Sequence, residues 1–110
     1  MDRPVDELAV LRALADPNRF RLFTAVRAKE RCVRDLVDSE GLAQPLVSHH
    51  LRVLADAGLV QARRADGFSL YSVDPAGMAA ARDALDRLLD PDRLAAMALP
   101  GGNPDCCRED

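Results

Sequence analysis

The stretch PLVSHHLRVLADAGLV, residues 45–60, decides how the rest of this 110-residue chain is interpreted. Val47, Leu51 and Leu54 recur at helical spacing and form one apolar stripe, whereas the opposite face is short and polar. The residues of that polar face are Gln44, Ser48, His49 and Arg52. Because such a face suits base edges in a major groove, the pattern predicts a DNA-reading helix that is closed by Gly58 and runs into a strand.

Length and composition indicate one folded domain. A chain of 110 residues with 48% hydrophobic and 30% charged residues can bury one core but is too short for two. Its apolar stretches are too short to span a membrane, and the start MDRPVDEL does not resemble a signal peptide. We therefore expect a cytoplasmic protein without a membrane partner, with a domain over residues 1–99 and a flexible cysteine-containing tail over residues 100–110.

The net charge of −3 does not by itself favour nucleic-acid binding, because Lys and Arg supply most of the non-specific affinity for phosphates. The distribution of charge is more informative than the sum. Six basic residues and one acid lie between Pro17 and Arg34, whereas eight acids and four arginines lie between Asp74 and Asp110. A modest positive face on an acidic protein is compatible with specific DNA binding.

The remaining segments predict helices on both sides of a β-hairpin. Apolar spacing and cap residues indicate helices over residues 5–15, 17–28 and 33–39, and a last helix from 75 that is interrupted near 90. Runs of strand character, 59–64 and 68–73, are joined by Asp66 and Gly67, a strong hairpin signal. The core residues expected in the second helix are Phe20, Leu22, Phe23 and Val26.

This order predicts a mainly α fold with a small β-hairpin, a winged helix-turn-helix with an extra helix at each end. The end helices carry apolar stripes, Leu8, Leu11 and Leu14 in the first and Met78, Ala81, Leu85, Leu88 and Leu89 in the last. Those stripes have no obvious partner within so small a domain. We therefore expect a homodimer through the N- and C-terminal helices, which also gives the symmetric pair of reading helices that a palindromic operator requires.

Candidate contacts to double-stranded DNA follow from residue chemistry. Hydrogen-bonding side chains on the reading helix suit base edges, whereas arginines suit phosphates. The base-contact candidates are Gln44, Ser48 and His49, and the phosphate-contact candidates are Arg52, Arg63 and Arg64. For the two wing arginines an ordinary solvated strand face is the alternative, and for His50 we expect packing or a backbone contact.

Four stretches of the chain share a known pattern: ALADPNRFRLF (13–23), CVRDLV (32–37), VSHHLRVLADAGLV (47–60) and YSV (71–73). With these motifs the chain resembles the ArsR/SmtB family of metal-responsive transcriptional repressors, and the resemblance covers roughly residues 11–73. It implies a dimeric repressor, not an enzyme and without an organic cofactor, that leaves its operator when a toxic metal or metalloid binds.

The chain departs from the family pattern in three places. Arsenic-responsive members typically carry ELCVCDL, whereas here Cys32 is the only cysteine of the motif and Arg34 stands at the second position. Zinc-type members use aspartate and histidines on the last helix, whereas both histidines of this chain, His49 and His50, lie in the reading helix. Phe68 follows the wing glycine, where a basic residue is common, which weakens the expected phosphate contact of the wing.

An odd number of cysteines without an export signal argues against a disulfide framework. Cys32 precedes a helix and lies between Arg31 and Arg34, so the helix dipole and both cations favour the thiolate that binds metal, although a buried core cysteine is an equal alternative. Cys106 and Cys107 form a vicinal pair in a polar tail, and the seven residues from Leu99 to Cys106 reach roughly 24 Å when extended. The two cysteines are either metal ligands or an incidental thiol pair at the surface.

Together Cys32, Cys106 and Cys107 make a set of three thiolates, and soft thiolates select thiophilic ions. The resemblance implies arsenite or antimonite as the effector, with lead and cadmium as further candidates. A second hypothesis makes the same cysteines sensors of oxidants or reactive sulfur through a disulfide between Cys32 and the tail. A third, a thiol enzyme that uses the tail pair, is weak because no general base or pocket lies near the pair in sequence.

Overall fold

The computed structural model describes residues 6–92, and within that range five helices and three strands follow one another. In chain order they are α1 (Glu7–Ala15), α2 (Pro17–Ala28), β1 (Arg31–Cys32), α3 (Val33–Glu40), α4 (Gln44–Asp56), β2 (Val60–Ala65), β3 (Phe68–Val73) and α5 (Pro75–Leu89). The predicted mainly α, winged helix-turn-helix fold is confirmed. The predicted helical turns beyond 92 and the tail over 100–110, with Cys106 and Cys107, lie outside the described residues.

Aspartate caps set the starts of α1, α2 and α5, as the sequence predicts for the latter two. The side chain of Asp16 accepts a hydrogen bond from the backbone N–H of Arg19 at 2.9 Å, and a proline opens the helix. Asp74 accepts from the backbone N–H of Gly77 at 3.2 Å in the same way. Each cap satisfies a donor that the first turn of a helix leaves unpaired, so these boundaries are encoded locally.

The sheet has three antiparallel strands in the order β1-β3-β2, not the two of the predicted hairpin. The β2–β3 turn is as predicted, because Asp66 (φ 51°) and Gly67 (φ 82°) both adopt the left-handed conformation that a tight hairpin requires. The missed strand, β1, pairs with β3 and places Cys32 opposite Leu70. Two residues are too short for a periodic pattern, so only the partner strand reveals β1.

The core lies where the helices meet the base of the sheet. Its buried side chains are Val10, Ala13, Leu22, Phe23, Val26, Leu36, Val47, Leu51, Leu54, Leu59, Val60 and Ala81. The prediction that Phe20 belongs to the core is wrong, because its side chain is 51% exposed. Arg19 lies one turn before the buried Phe23 and is therefore on the inward face of α2, where it is partly buried. Phe20 lies outside that face and points to solvent.

Helices α1 and α5 contact each other but leave apolar side chains uncovered. The inward face of α1 is formed by Val10 and Ala13, whereas in the predicted leucine stripe Leu14 packs partly against the core and the other two leucines are exposed. Large exposed apolar residues on the two helices are Leu8, Leu11, Leu88 and Leu89. A cavity of about 290 Å³, lined mostly by apolar side chains, opens between α1, α2 and α5. The two helices therefore carry an incompletely covered apolar surface.

The first turn of α5 lies directly on the turn that ends α4. A Cβ at Gly77 would collide with the backbone carbonyl of Gly58, so only glycine permits this approach. Gly58 itself has φ 84°, which lets the chain leave α4 in the left-handed conformation. The backbone N–H of Asp74 also donates to the carbonyl of Leu59 at 3.1 Å. The terminal helix is thus in contact with the end of the predicted DNA-reading helix.

Candidate nucleic-acid interface

The predicted DNA-reading helix is α4, and α2 and α3 pack against it. Its side chains Val47, Leu51 and Leu54 are fully buried, which fixes one face of α4 on the core. The turn between α3 and α4 depends on Gly41, whose φ of 67° closes α3. The order α3, turn, α4 forms the helix-turn-helix, and the β2–β3 hairpin that follows forms the wing.

The four predicted contact residues of α4 share its outer face. Gln44 opens the helix, Ser48 lies one turn further on, and Arg52 one turn beyond that. These three side chains and that of His49 are exposed. The structure therefore brings them together on one accessible surface, and their contact with DNA stays a prediction.

The two histidines have different surroundings although they are neighbours in sequence. His49 is exposed, whereas His50 is 5% exposed and packs inside, which confirms the interpretation of His50 as a packing residue. The Nδ1 atom of His50 lies 3.2 Å from Nη1 of Arg19, and its Nε2 lies 3.7 Å from a carboxylate oxygen of Asp16. Burial lowers the pKa of His50 below its ordinary value; Asp16 opposes this shift, and Arg19 and His49 add to it.

From the sequence, Asp16 is recognisable only as a helix cap and Arg19 only as a member of a basic segment. Both in fact contact the buried ring of His50, 31 residues beyond Arg19. The helical spacing of Arg19 and Phe23 was the available signal, because it places an arginine on the inward face of α2. A polar side chain at such a position requires hydrogen-bonding partners, and His50 is one of them.

The two wing arginines, consecutive in β2, point to opposite faces of the strand. Arg63 donates two hydrogen bonds of 2.8 Å, from Nε and Nη2, to the two carboxylate oxygens of Glu30. These bonds hold the pKa of Glu30 below its ordinary value. Arg64 is exposed on the other face. A DNA phosphate would therefore have to compete with Glu30 for Arg63, a constraint that the sequence did not reveal.

Cys32 occupies a junction between the sheet and the helix-turn-helix. It is half-buried, ends β1 and stands at the N-cap of α3. The side chain of Arg31 donates to the carbonyl of Ala25 at 3.1 Å, so this neighbouring cation is engaged near the end of α2. Across residues 6–92, no three His, Cys, Asp or Glu side chains form a group suited to a metal ion. The predicted set of Cys32, Cys106 and Cys107 depends on residues outside that range.

None of the helices in the described part of the chain is long and apolar enough to cross a membrane. The location in the cytoplasm stays a prediction.

Comparison with known proteins places this architecture in a family. The sequence pattern of the family described as "Bacterial regulatory protein, arsR family" matches residues 16–62, from the cap of α2 into β2. A "Probable mercury resistance operon repressor" from Streptomyces lividans is 44% identical over 98 residues, which cover 87% of this chain and 70% of that protein. The chain belongs to the ArsR family of bacterial regulatory proteins.

Other ArsR-type proteins agree in sequence or in fold. The "HTH-type transcriptional repressor SmtB" of Mycobacterium tuberculosis is 45% identical over 62 residues, 56% of this chain, and the chain spans about half of its length (46%). A solved "Possible transcriptional regulator for arsenical resistance" is 36% identical with a TM-score of 0.64, covering 82% of this chain and 96% of its own. These names are of transcriptional regulators, so they give the thiol-enzyme hypothesis no support.

A further solved relative bears on assembly. It is described as a homodimeric winged helix-turn-helix DNA-binding domain from Mycobacterium bovis, a possible ArsR-family transcriptional regulator. It is 27% identical to this chain with a TM-score of 0.61, and the alignment covers 86% of each chain. This chain therefore shares its winged helix-turn-helix fold with a relative that is described as a DNA-binding domain.

Proposed function

We propose that this ArsR-family protein is a transcriptional repressor that binds double-stranded operator DNA through α4 and the wing. The observation that carries the proposal is the two-sided construction of α4, with one face locked in the core and the other exposed and polar. In this proposal Gln44, Ser48 and His49 contact bases. Arg52, Arg63 and Arg64 contact phosphates, and Arg63 does so in competition with Glu30.

The repressor acts as a homodimer through α1 and α5. The support is the uncovered apolar surface of these helices, including Leu8, Leu11 and Leu89, and the cavity that opens beside them. Burying such a surface against a second copy stabilises both chains by the hydrophobic effect. The homodimeric state described for the Mycobacterium bovis relative agrees with this assembly.

The effector is a thiophilic metalloid, arsenite or antimonite, bound by the thiolates of Cys32, Cys106 and Cys107. Soft sulfur ligands favour thiophilic ions over hard cations such as magnesium, and no organic cofactor is involved. Relatives named for arsenical and for mercury resistance agree with a thiophilic effector. Lead, cadmium and mercury are therefore the ions to compare with arsenite.

The position of Cys32 offers the bound ion two routes to the DNA-binding surface. Through α3 it reaches α4, because these helices pack together, and through β1 it reaches the wing, because Cys32 pairs with Leu70 of β3. Ligation that draws Cys32 toward the tail therefore shifts the reading helix and the wing together. Release requires that the ion bind the DNA-incompetent state more tightly, by about 5.5 kcal/mol for a shift from 99:1 to 1:99.

The test measures release from a DNA duplex selected from random sequence by the wild-type protein. Fluorescence anisotropy follows release under arsenite, antimonite, mercury(II), lead(II) and cadmium(II), for wild type and for Cys32→Ser, Cys106→Ser and Cys107→Ser. Each serine variant should bind the duplex with wild-type affinity in the absence of ions and lose release by arsenite. The ion-free measurement is the control, because a folding defect would weaken DNA binding as well.

Two results would contradict parts of the proposal. If arsenite released Cys32→Ser from the duplex as fully as it releases the wild type, the three-thiolate site would be wrong. If the wild-type protein selected no duplex from random sequence, the repressor function itself would be wrong. Release by peroxide or persulfide in place of metal ions, with a disulfide from Cys32 to the tail, would establish the redox hypothesis instead.

A further inference from the structure

The buried face of the reading helix contains one polar group. Among the residues that the structure describes, His50 is the one buried polar side chain, with 5% of its surface exposed. Its neighbours on the inner face of α4 are apolar. A buried polar group without a partner is costly, so its hydrogen bond has a structural role. The ring lies against the segment that joins α1 to α2, the α1–α2 corner, where Asp16 and Arg19 face it, and its centroid is 5.7 Å from that of the exposed His49 ring.

Arg19 connects the ring to that corner. Its Nε donates to the carbonyl of Ala13 at 2.7 Å and its Nη2 donates to the carbonyl of Arg12 at 3.0 Å, so the guanidinium binds the C-terminal end of α1. The remaining nitrogen, Nη1, lies 3.2 Å from Nδ1 of His50. One side chain of α2 thus joins the end of α1 to the inner face of α4.

The chemistry of this contact fixes the state of the imidazole. A guanidinium has only donors, so Nδ1 of His50 must accept and must carry a lone pair. The ring is therefore neutral with its proton on Nε2, the atom that faces Asp16 at 3.7 Å. A proton added at Nδ1 would set two donors and two positive charges against each other.

We propose that neutral His50 is a positioning residue, which holds the reading helix on the α1–α2 corner through Arg19, and that protonation of its Nδ1 breaks this attachment and weakens DNA binding. The step is a simple proton uptake from solvent, with no other bond formed or broken. The DNA part of the proposal rests on the proposed repressor function.

The ionisable groups that act on His50 come from two elements. Asp16, the cap of α2, favours the charged ring, whereas Arg19 of α2 and His49 of α4 oppose it; α1 contributes backbone carbonyls to Arg19. Burial is the largest influence and lowers the pKa of His50, so the ring takes up a proton at a lower pH than the range near pH 6.5 in which an exposed histidine titrates. The loss of DNA affinity is therefore expected on the acid side of that range.

The first experiment measures the dissociation constant for the selected duplex between pH 5 and pH 8 at constant ionic strength. Wild-type affinity should fall below pH 6.5 by at most about tenfold per pH unit for each His50, and the proposed dimer carries one His50 in each subunit. His50→Gln should keep its neutral-pH affinity and show a flat profile, because the amide oxygen can accept from Arg19 but the side chain cannot titrate. His49→Gln is compared by the shape of its pH profile alone: as a predicted base contact it should bind the duplex more weakly at every pH, but the acid-side loss due to His50 should remain.

The second experiment does not depend on DNA. Long-range nitrogen–proton correlation NMR of the wild-type protein at pH 7.5 should show Nδ1 of His50 unprotonated and Nε2 protonated. Arg19→Gln should change the Nδ1 shift, since it removes the charged donor. A proton on Nδ1 at neutral pH, or a His50→Gln profile that falls with acid as the wild type does, would overturn the proposal. If no duplex can be selected, the repressor function fails while the NMR result still decides the tautomer.

Discussion

The reading helix and the wing are attached to the protein by different forces. On the inner face of α4, Leu51 and Leu54 are fully buried, and the buried ring of His50 forms a hydrogen bond with Arg19. The wing is a two-stranded arm whose tip residue Phe68 is 56% exposed, and the ion pair between Arg63 and Glu30 at its side lies at the surface. Burial makes the position of α4 sensitive to packing and to proton uptake, whereas exposed charge makes the wing sensitive to salt.

The largest expected contrast is in stability. Leu51→Ala removes a fully buried side chain and should lower the free energy of unfolding by about 2–5 kcal/mol. Phe68→Ala removes a side chain that is already half in solvent and should change the free energy of unfolding by under about 1 kcal/mol. Urea unfolding followed by circular dichroism, at one protein concentration, compares the two. Equal losses would mean that the wing tip is packed as firmly as the helix.

A second prediction concerns the contact that seats α5 on the end of α4. Gly77→Ala places a methyl group against the backbone of Gly58, and the shift needed to relieve it should lower the free energy of unfolding by about 1–3 kcal/mol. Helix propensity alone predicts the opposite sign, because alanine is favoured over glycine by up to about 1 kcal/mol. Ala79→Gly, at an exposed position of the same helix, is the control: its effect on the free energy of unfolding measures helix propensity alone, without the contact to Gly58. A stabilised Gly77→Ala protein would contradict the close approach.

The third prediction uses the protonation of His50 as a probe of stability rather than of DNA binding. Since the pKa of His50 is lowered by folding, the unfolded chain binds the proton more readily, and stability falls as pH drops below about 6.5. The loss can reach at most about 1.4 kcal/mol per pH unit for one group. Between pH 7.5 and pH 5, unfolding of His50→Gln should lack this decline, whereas His49→Gln should retain it. A decline of equal size in both variants would assign it to other groups.

The smallest expected effect is at the wing. Glu30→Gln removes the carboxylate that holds Arg63, so Arg63 becomes available to a phosphate, and affinity for the selected duplex should rise by up to about fivefold, the scale of an exposed ion pair. The slope of log affinity against log salt should steepen by about 0.9 for each subunit of the proposed dimer, the value for one phosphate contact per wing. Weaker binding in Glu30→Gln would mean that Glu30 orients Arg63 toward DNA instead of withholding it.

A double-mutant cycle isolates that interaction. Arg63→Ala should have little effect in the wild type and a larger one in the Glu30→Gln background. Arg64→Ala, on the other face of β2, is the matched control and should cost the same affinity in both backgrounds.

The parts of the fold that depend on neighbouring residues could be predicted from the sequence. The bounds of α2 follow from Asp16 and the proline after it, and the hairpin turn follows from Asp66 and Gly67, because caps and tight turns are local chemistry. The apolar spacing of α4 likewise indicated which of its faces is buried, and this separated the exposed His49 from the buried His50.

The parts that depend on distant residues could not be predicted. Strand β1 exists only because β3, nearly forty residues further on, pairs with it, and the ion pair of Glu30 with Arg63 spans 33 residues. The wrong placement of Phe20 has the same origin. The sequence predicts Phe20 as a core residue, whereas the inward position belongs to Arg19, whose partner His50 lies in another helix.

The contact of Gly77 with Gly58 also bears on the operator. In the proposed dimer α5 joins the two subunits, and its first turn rests on the end of each reading helix. The position of each reading helix relative to the α5 of its own subunit is then set by a backbone contact with no side chain between them, which leaves little room for adjustment. We expect such a dimer to accept half-sites at one separation, about one helical turn of DNA or a multiple of it, and to discriminate operators by spacing as well as by base sequence.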